Sequence, residues 1–332
     1  MPELRKDYVT DTWVVFAPAR SQRPIETQGT LSLEDSPSGC PFCPGHEHMT
    51  PPEILVYPSN ATDGSAWRVR CVPNLYPALT LDGEVRTEAN GLYHSLQGVG
   101  AHEIIIETPD HSRGFAALSK RQIDEVLRAY VARAGELAKD PRLSYVLIFK
   151  NEGAEAGASL FHTHSQLIAT PIVPRRIQDE LRGALAFYAN RGTCVYDSIL
   201  EEEMEGATRV VTANKAFVAL CPYASRFPFE VWILPRRHRP RFEDISAGER
   251  RSLAGLLRET LRRLDTLVGN PPFNWYFHTA PSDGDDYEYY HWHMEITPRL
   301  SRIAGFERGT GFYINSVPPE DAAQLLRQAP AA

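Results

Sequence analysis

Hydrophobic positions in this chain fall into two periods, and the two periods occur twice in the same order. In the first half, His102-Glu-Ile-Ile-Ile-Glu107 reads as a short buried strand, and Thr-Pro-Asp-His111 follows as a turn. Ser119-Lys-Arg-Gln122 has capping-box spacing, and Ile123, Val126, Leu127, Tyr130, Val131 and Leu137 then recur at helical intervals. Tyr145-Val-Leu-Ile-Phe149 predicts a second strand, and His162-Thr-His164 comes shortly after it. In the second half, Glu230-Val-Trp-Ile-Leu234 is the strand, Pro235-Arg-Arg-His238 the turn and Ser246-Ala-Gly-Glu249 the capping box. Leu253, Leu256, Leu257, Leu264 and Leu267 form the helical stripe, which Gly269 is placed to end. Asn274-Trp-Tyr-Phe277 and a second pair, His291-Trp-His293, complete the repeat.

Matching order, two capping boxes and two His-x-His pairs predict a duplicated α+β fold of antiparallel sheets with packed helices. The expected units are 1–190 and 191–332. The Pro-, Gly- and Ser-rich stretch up to about residue 65 reads as an irregular extension of the first unit.

Composition narrows the class. With 42% hydrophobic and 23% charged residues, the 332-residue chain is expected to be soluble and globular. It contains no apolar run long enough to span a membrane, and its N-terminus lacks a signal-peptide core, so a cytoplasmic location is expected. A net charge of −7 argues against coating nucleic acid. Five cysteines, of which only Cys40 and Cys43 are close together, favour a metal site over a disulfide framework.

The densest chemical signal is Asn151-Glu-Gly-Ala-Glu-Ala-Gly157-Ala-Ser159-Leu-Phe-His162-Thr-His164-Ser-Gln166. Small residues let backbone N–H groups approach a phosphate, and Asn151 and Ser159 add side-chain hydrogen bonds. If the chain is extended from His162, then His162, His164 and Gln166 share one face. A neutral imidazole attacks phosphorus well when its other nitrogen is held by a hydrogen bond. Glutamine in the third position can hydrogen-bond a phosphoryl oxygen but cannot protonate a leaving group, which suits departure of a phosphate. Cys40-x-x-Cys43 has the bite of a zinc knuckle, for which His46 and His48 are the nearest partners by position alone.

These residues resemble the galactose-1-phosphate uridylyltransferase family, the transferase branch of the histidine triad superfamily, over nearly the whole chain. The likeness rests on Arg20 and Arg23, Cys40-Pro-Phe-Cys43, Asn74, Asp110-His111, the triplet, Glu180, His278 and His291-Trp-His293. It implies two histidine-triad-like units and makes His164 the nucleophile. It assigns Gln166 and Ser159 to the phosphates, and Arg20, Arg23, Asn74, Asn151 and Gly157 to the nucleoside diphosphate. It implies a ping-pong cycle in which a nucleoside diphosphate sugar uridylylates His164 and a hexose 1-phosphate collects the group, in a homodimer.

The same resemblance completes the zinc set as Cys40, Cys43, His111 and His162, with His46 or His48 as the local alternative. It also implies a second metal, iron or zinc, on Glu180, His278, His291 and His293. The plain alternative for those histidines is packing among Trp275, Tyr276, Tyr289, Tyr290 and Trp292. Two departures from the best-known members are visible: Thr163 replaces proline, and Gly305 stands near the place of a sugar-phosphate lysine. In both the chain resembles the related ADP-glucose phosphorylases, in which phosphate would accept an adenylyl group. A non-catalytic nucleotide-sugar binder and a hydrolase are the remaining readings, the latter disfavoured by Gln166. Cys71, Cys194 and Cys221 read as buried small hydrophobes, and Leu200–Glu205 as a solvated helix face.

Overall fold

The computed structural model describes residues 2–22, 36–59 and 66–331. Ten strands form the main sheet: β1 (Leu55–Pro58), β2 (Trp67–Pro73), β3 (Ala101–Ile106), β4 (Tyr145–Glu152), β5 (His164–Thr170), β6 (Val210–Ala213), β7 (Phe217–Leu220), β8 (Val231–Pro235), β9 (Phe273–His278) and β10 (His293–Pro298). Four long helices accompany them: α1 (Lys120–Leu137), α2 (Arg175–Arg191), α3 (Val195–Gly206) and α4 (Ala247–Val268).

The repeat seen in the sequence is the symmetry of this sheet. Its order is β6-β7-β8-β10-β9-β4-β5-β3-β2-β1, with every neighbouring pair antiparallel. Read from each edge to the centre, one half runs 1-2-3-5-4 and the other 6-7-8-10-9. The halves meet along β4 and β9, where Asn151 faces Asn274 and Phe149 faces Tyr276. The two units share one sheet and one continuous core rather than folding as separate bodies.

Both amphipathic helices form where the pattern places them. Ser119 caps α1, its hydroxyl accepting from Gln122 N–H at 3.1 Å. The expected capping box is only half made, because the Gln122 side chain donates to the Arg68 and Glu107 carbonyls and ties the helix to the strands. The box at Ser246 and Glu249 is complete, and Gly269 ends α4 at φ 74°. The buried stripe Leu253, Leu256, Leu257, Leu261 and Leu264 packs α4 on one face of the sheet beside α1. Each fully buried leucine contributes roughly 1.5–3 kcal/mol.

The opposite face differs between the halves. In the first, Ile104 and Ile106 meet Cys40, Phe42, Cys43 and Trp67 of the N-terminal extension. Because Ile104 pairs with Gln166 and Ile106 with His164, the triplet lies on that same face. In the second half, α2, α3 and the tyrosines Tyr196, Tyr287 and Tyr290 cover the equivalent face. Within α3, Glu203 is buried and held by Arg209 at 2.8 Å, so the acidic run is only partly a solvated face. Among the described residues no helix is long and apolar enough to cross a membrane.

Candidate active site and metal centres

β5 begins at His164, and the backbone around it settles the state of the imidazole. His164 Nδ1 lies 2.9 Å from the His162 carbonyl, which can only accept, so Nδ1 carries the proton. The lone pair is therefore on Nε2. Burial pushes His164 down to about 4, and the Lys150 ammonium adds to the effect, so the ring is neutral at pH 7. Phe42 packs against the same ring with its centroid 5.2 Å away.

Beneath His164 is a charged network inside the sheet. Lys150, fully buried, donates to Glu107 at 2.7 Å, to the Thr163 hydroxyl at 2.7 Å and to the His164 carbonyl at 2.9 Å. Glu152 lies 2.9 Å from the same ammonium. Glu107 also accepts from Thr163, Tyr130 and Ser165. The Thr163 hydroxyl thus has a defined place, which a proline there could not fill.

The other expected nucleotide contacts surround this point with different exposures. Ser159 and Gly157 are exposed on the loop between β4 and β5, where Gly153 and Gly157 take φ of 81° and 91°. Those values favour glycine, and a Cβ at Gly153 would also meet Pro272, next to β9, at 3.1 Å. Asn151 stands at the loop's base, with its amide donating to the Gly157 carbonyl and accepting from Asn274 Nδ2 at 2.7 Å. Its side chain therefore braces the loop. Asn74 and Gln166, both half-buried, converge on His102. Arg20 is exposed in the short helix Pro18–Gln22, and Arg23 lies outside the described residues.

Cys40, Cys43, His111 and His162 come together, all buried, as one metal-ligating group. Cys43 Sγ is 3.3 Å from His111 Nδ1, and both sulfurs are 3.6 Å from His162 Nδ1. Tetrahedral zinc with ordinary Zn–S and Zn–N bonds sets its sulfur and nitrogen ligands about 3.6 Å apart. His162 Nε2 donates to the Thr108 carbonyl at 2.7 Å, which leaves Nδ1 as the free ligand atom. Burial, with Cys40 alongside, pushes the Cys43 thiol up to about 12, so a deprotonated pair needs a dication between them. His46 instead pairs with the Cys40 carbonyl at 2.7 Å and stays out of the cluster, as does His48.

In the second half the expected set divides. Glu180, His278 and His293 gather, but with Glu295 in place of His291. Glu295 is bound by Arg176 and Arg226, and Glu180 accepts from Tyr290 at 2.8 Å. His291 turns the other way: its Nδ1 is 2.8 Å from Asp197, whose second oxygen is 2.8 Å from His238 Nδ1. Cys194, Asp197 and His238 form a third group of potential ligands. Cys194-x-x-Asp197, His238 and His291 occupy the places in the repeat that Cys40-x-x-Cys43, His111 and His162 hold in the first unit. The imidazole pairs match as well, with centroids 5.2 Å apart for His111 and His162 and 5.1 Å for His238 and His291.

The chain is similar over nearly its whole length to proteins of one family. The model of the galactose-1-phosphate uridyl transferase N-terminal domain matches residues 1–174, and a domain of unknown function matches 100–329. ADP-glucose phosphorylase of Arabidopsis thaliana is 36% identical over 98% of this chain and 93% of its own. Galactose-1-phosphate uridylyltransferase of Thermotoga maritima is 31% identical over 99% and 98%. The chain belongs to the galactose-1-phosphate uridylyltransferase family. A crystal structure of the Arabidopsis phosphorylase with bound ADP-glucose superposes with a TM-score of 0.86 at 35% identity, covering 99% of this chain and 100% of that one. A solved uridylyltransferase gives 0.78 at 30%, covering 99% and 98%.

Membership makes the chain one of a family of nucleotidyltransferases, and it shows what the sequence reading passed over. His102 and Glu107 were absorbed into an apolar strand and Lys150 was left just beyond one, yet a charged or ionisable residue at such a strand is itself a signal, because burial without a partner is costly. Cys194 was read as a small hydrophobe, although its spacing to Asp197 repeats that of the knuckle.

Proposed function

We propose that His164 Nε2 attacks the α-phosphorus of a nucleoside diphosphate sugar, expels the sugar 1-phosphate and carries the nucleotidyl group to a second phosphate. The observation that carries this reading is the His164 ring itself, with Nδ1 committed to a carbonyl and the lone pair left on Nε2, on the strand face that also bears Gln166. Gln166 supplies a hydrogen bond to a phosphoryl oxygen and no proton, which fits a phosphate leaving group at both half-reactions.

Two substrate pairs fit this chemistry. The family name supports uridylyl transfer from UDP-glucose to a hexose 1-phosphate such as galactose 1-phosphate. Adenylyl transfer from ADP-glucose to phosphate is favoured by Thr163 and by the likeness to the Arabidopsis phosphorylase. Intact-protein mass at alkaline pH, after separate incubation with UDP-glucose and ADP-glucose, decides between them. One incubation is expected to add a nucleotidyl mass that maps to His164, and an adduct with neither would remove the covalent mechanism. A homodimer, implied by the family likeness, and a cytoplasmic location, expected from the N-terminal sequence and the cysteine usage, belong to the same reading.

Zinc at Cys40, Cys43, His111 and His162 would pin the N-terminal extension to the nucleophile's strand. Four protein ligands make it structural. For the second metal we favour Cys194, Asp197, His238 and His291 over the set around Glu180, because the arginines and Tyr290 already compensate Glu295 and Glu180. Metal analysis of the purified chain is expected to give two zinc or iron ions. Cys43→Ser and Asp197→Ala should each remove one, and His278→Ala neither; loss on His278→Ala would return the second ion to the Glu180 set.

A further inference from the structure

His102 stands between two expected substrate contacts, and the hydrogen bonds around its ring have only one consistent assignment. The Ala78 backbone N–H points at His102 Nδ1 from 3.1 Å. A backbone amide can only donate, so Nδ1 accepts and the ring proton sits on Nε2. Two groups lie near that nitrogen. Asn74 Nδ2 is 3.1 Å away, but Asn74 Oδ1 is engaged by Tyr76 N–H at 2.9 Å, so the end facing His102 is also a donor. The acceptor in reach is Gln166 Oε1, at 2.8 Å.

The orientation of the Gln166 amide follows. With Oε1 receiving the His102 proton, the Gln166 NH2 group is the end left to meet substrate. Turned over, the amide would set its own N–H against His102 Nε2–H. We infer that His102 is a positioning residue for phosphoryl recognition, holding Gln166 with its donor end toward the phosphorus that His164 attacks. The inference rests on the nucleotidyl-transfer reading and adds a residue to it.

The direction of the proton chain is Ala78 N–H to His102, then His102 Nε2–H to Gln166, then Gln166 NH2 to a phosphoryl oxygen. Its origin is a main-chain amide, which cannot reverse. The loop residues Asn74 to Ala78 are held against the same histidine from a second side, since Asn74 N–H donates to the His102 carbonyl at 2.8 Å. The ring is half-buried on β3, opposite the strand that bears both His164 and Gln166. A side chain that merely filled space there would not need its two nitrogens so matched. An amide free to flip would present its carbonyl to a negatively charged oxygen part of the time, and repel it.

The test is the single-turnover rate of His164 nucleotidylation, with KM for the nucleotide sugar measured beside it. His102→Phe keeps a ring but removes both nitrogens, and is expected to slow nucleotidylation about tenfold, the worth of one well-placed hydrogen bond, with KM changed far less. In a Gln166→Ala background the same substitution should add no further loss, because His102 acts through Gln166. His102→Gln, which places a donor near the lost Nε2, should recover part of the rate. Wild-type rate in His102→Phe, or an equal loss with Gln166 already absent, would overturn the inference. Failure of the wild-type chain to form any adduct would instead overturn the nucleotidyl-transfer reading. Nitrogen-15 imidazole spectra, assigned by the signal lost in His102→Phe, test the proton chain without reference to activity. An Nε2-protonated ring is expected, and an Nδ1-protonated ring would also overturn it.

Discussion

Replacing His164 with alanine is expected to lower turnover at least about 10³-fold and to abolish the covalent adduct, while nucleotide-sugar affinity stays within a few-fold. The asymmetry follows from where the imidazole sits. It is buried at the start of β5, it presents one lone pair, and the residues expected to hold the nucleotide, Gln166 apart, lie on other segments. Isothermal titration of the variant with the nucleotide sugar, set beside mass spectrometry, separates the two effects. A variant that keeps turnover would move the nucleophile elsewhere, and one that loses binding in proportion would make His164 a binding residue. The wild-type rate of adduct formation should also stay flat on its acid side down to about pH 5. Burial and Lys150 hold the folded ring down to about 4, so the neutral, nucleophilic form persists where a free histidine would be mostly protonated.

Lys150→Met is expected to be the most destabilising single change near the site, by about 3–5 kcal/mol. It removes the cation facing Glu107, which is itself fully buried, and leaves Glu152 close by as a second carboxylate. Urea unfolding measures the loss. Pairing the substitution with Glu107→Gln should recover a substantial part of it, because the larger cost is the carboxylate left buried without its partner rather than the contact removed. A double variant as unstable as the single would mean that Lys150 contributes through packing against Phe115 and Trp275 instead.

The fold and the site were legible in the sequence to different degrees, for physical reasons. Apolar periodicity and capping signals are local, so α1, α4 and the strands between them could be placed from spacing alone. The pairing of β4 with β9 is not local, and nothing in Tyr145–Phe149 or Asn274–Phe277 says that they are neighbours. The triplet could be read because three chemically distinct side chains stand two apart on one strand. The partners of each could not. His102 reaches Gln166 across the β3–β5 pairing, and Lys150 reaches the His164 carbonyl from the adjacent strand; such contacts depend on register, which the residue types do not encode. In the second half, His291 and His293 are spaced like the first pair, but α2 and α3 cover that face and His293 is enclosed by Tyr196 and Trp232.

The seam between β4 and β9 also bears on how the chain acquires its shape. Residues that meet there, such as Asn151 and Asn274, are separated by most of a domain's length, and α1 packs on α4 across a comparable interval. During synthesis, the half that bears His164 emerges with one side of its central strand unpaired and its helix lacking a neighbour. Completion of that half must wait for the other, which retains little chemistry of its own. The degenerate repeat thus acts as the late-arriving partner of a slow, high-contact-order assembly, and truncation before α4 should leave an aggregation-prone fragment rather than a small working enzyme.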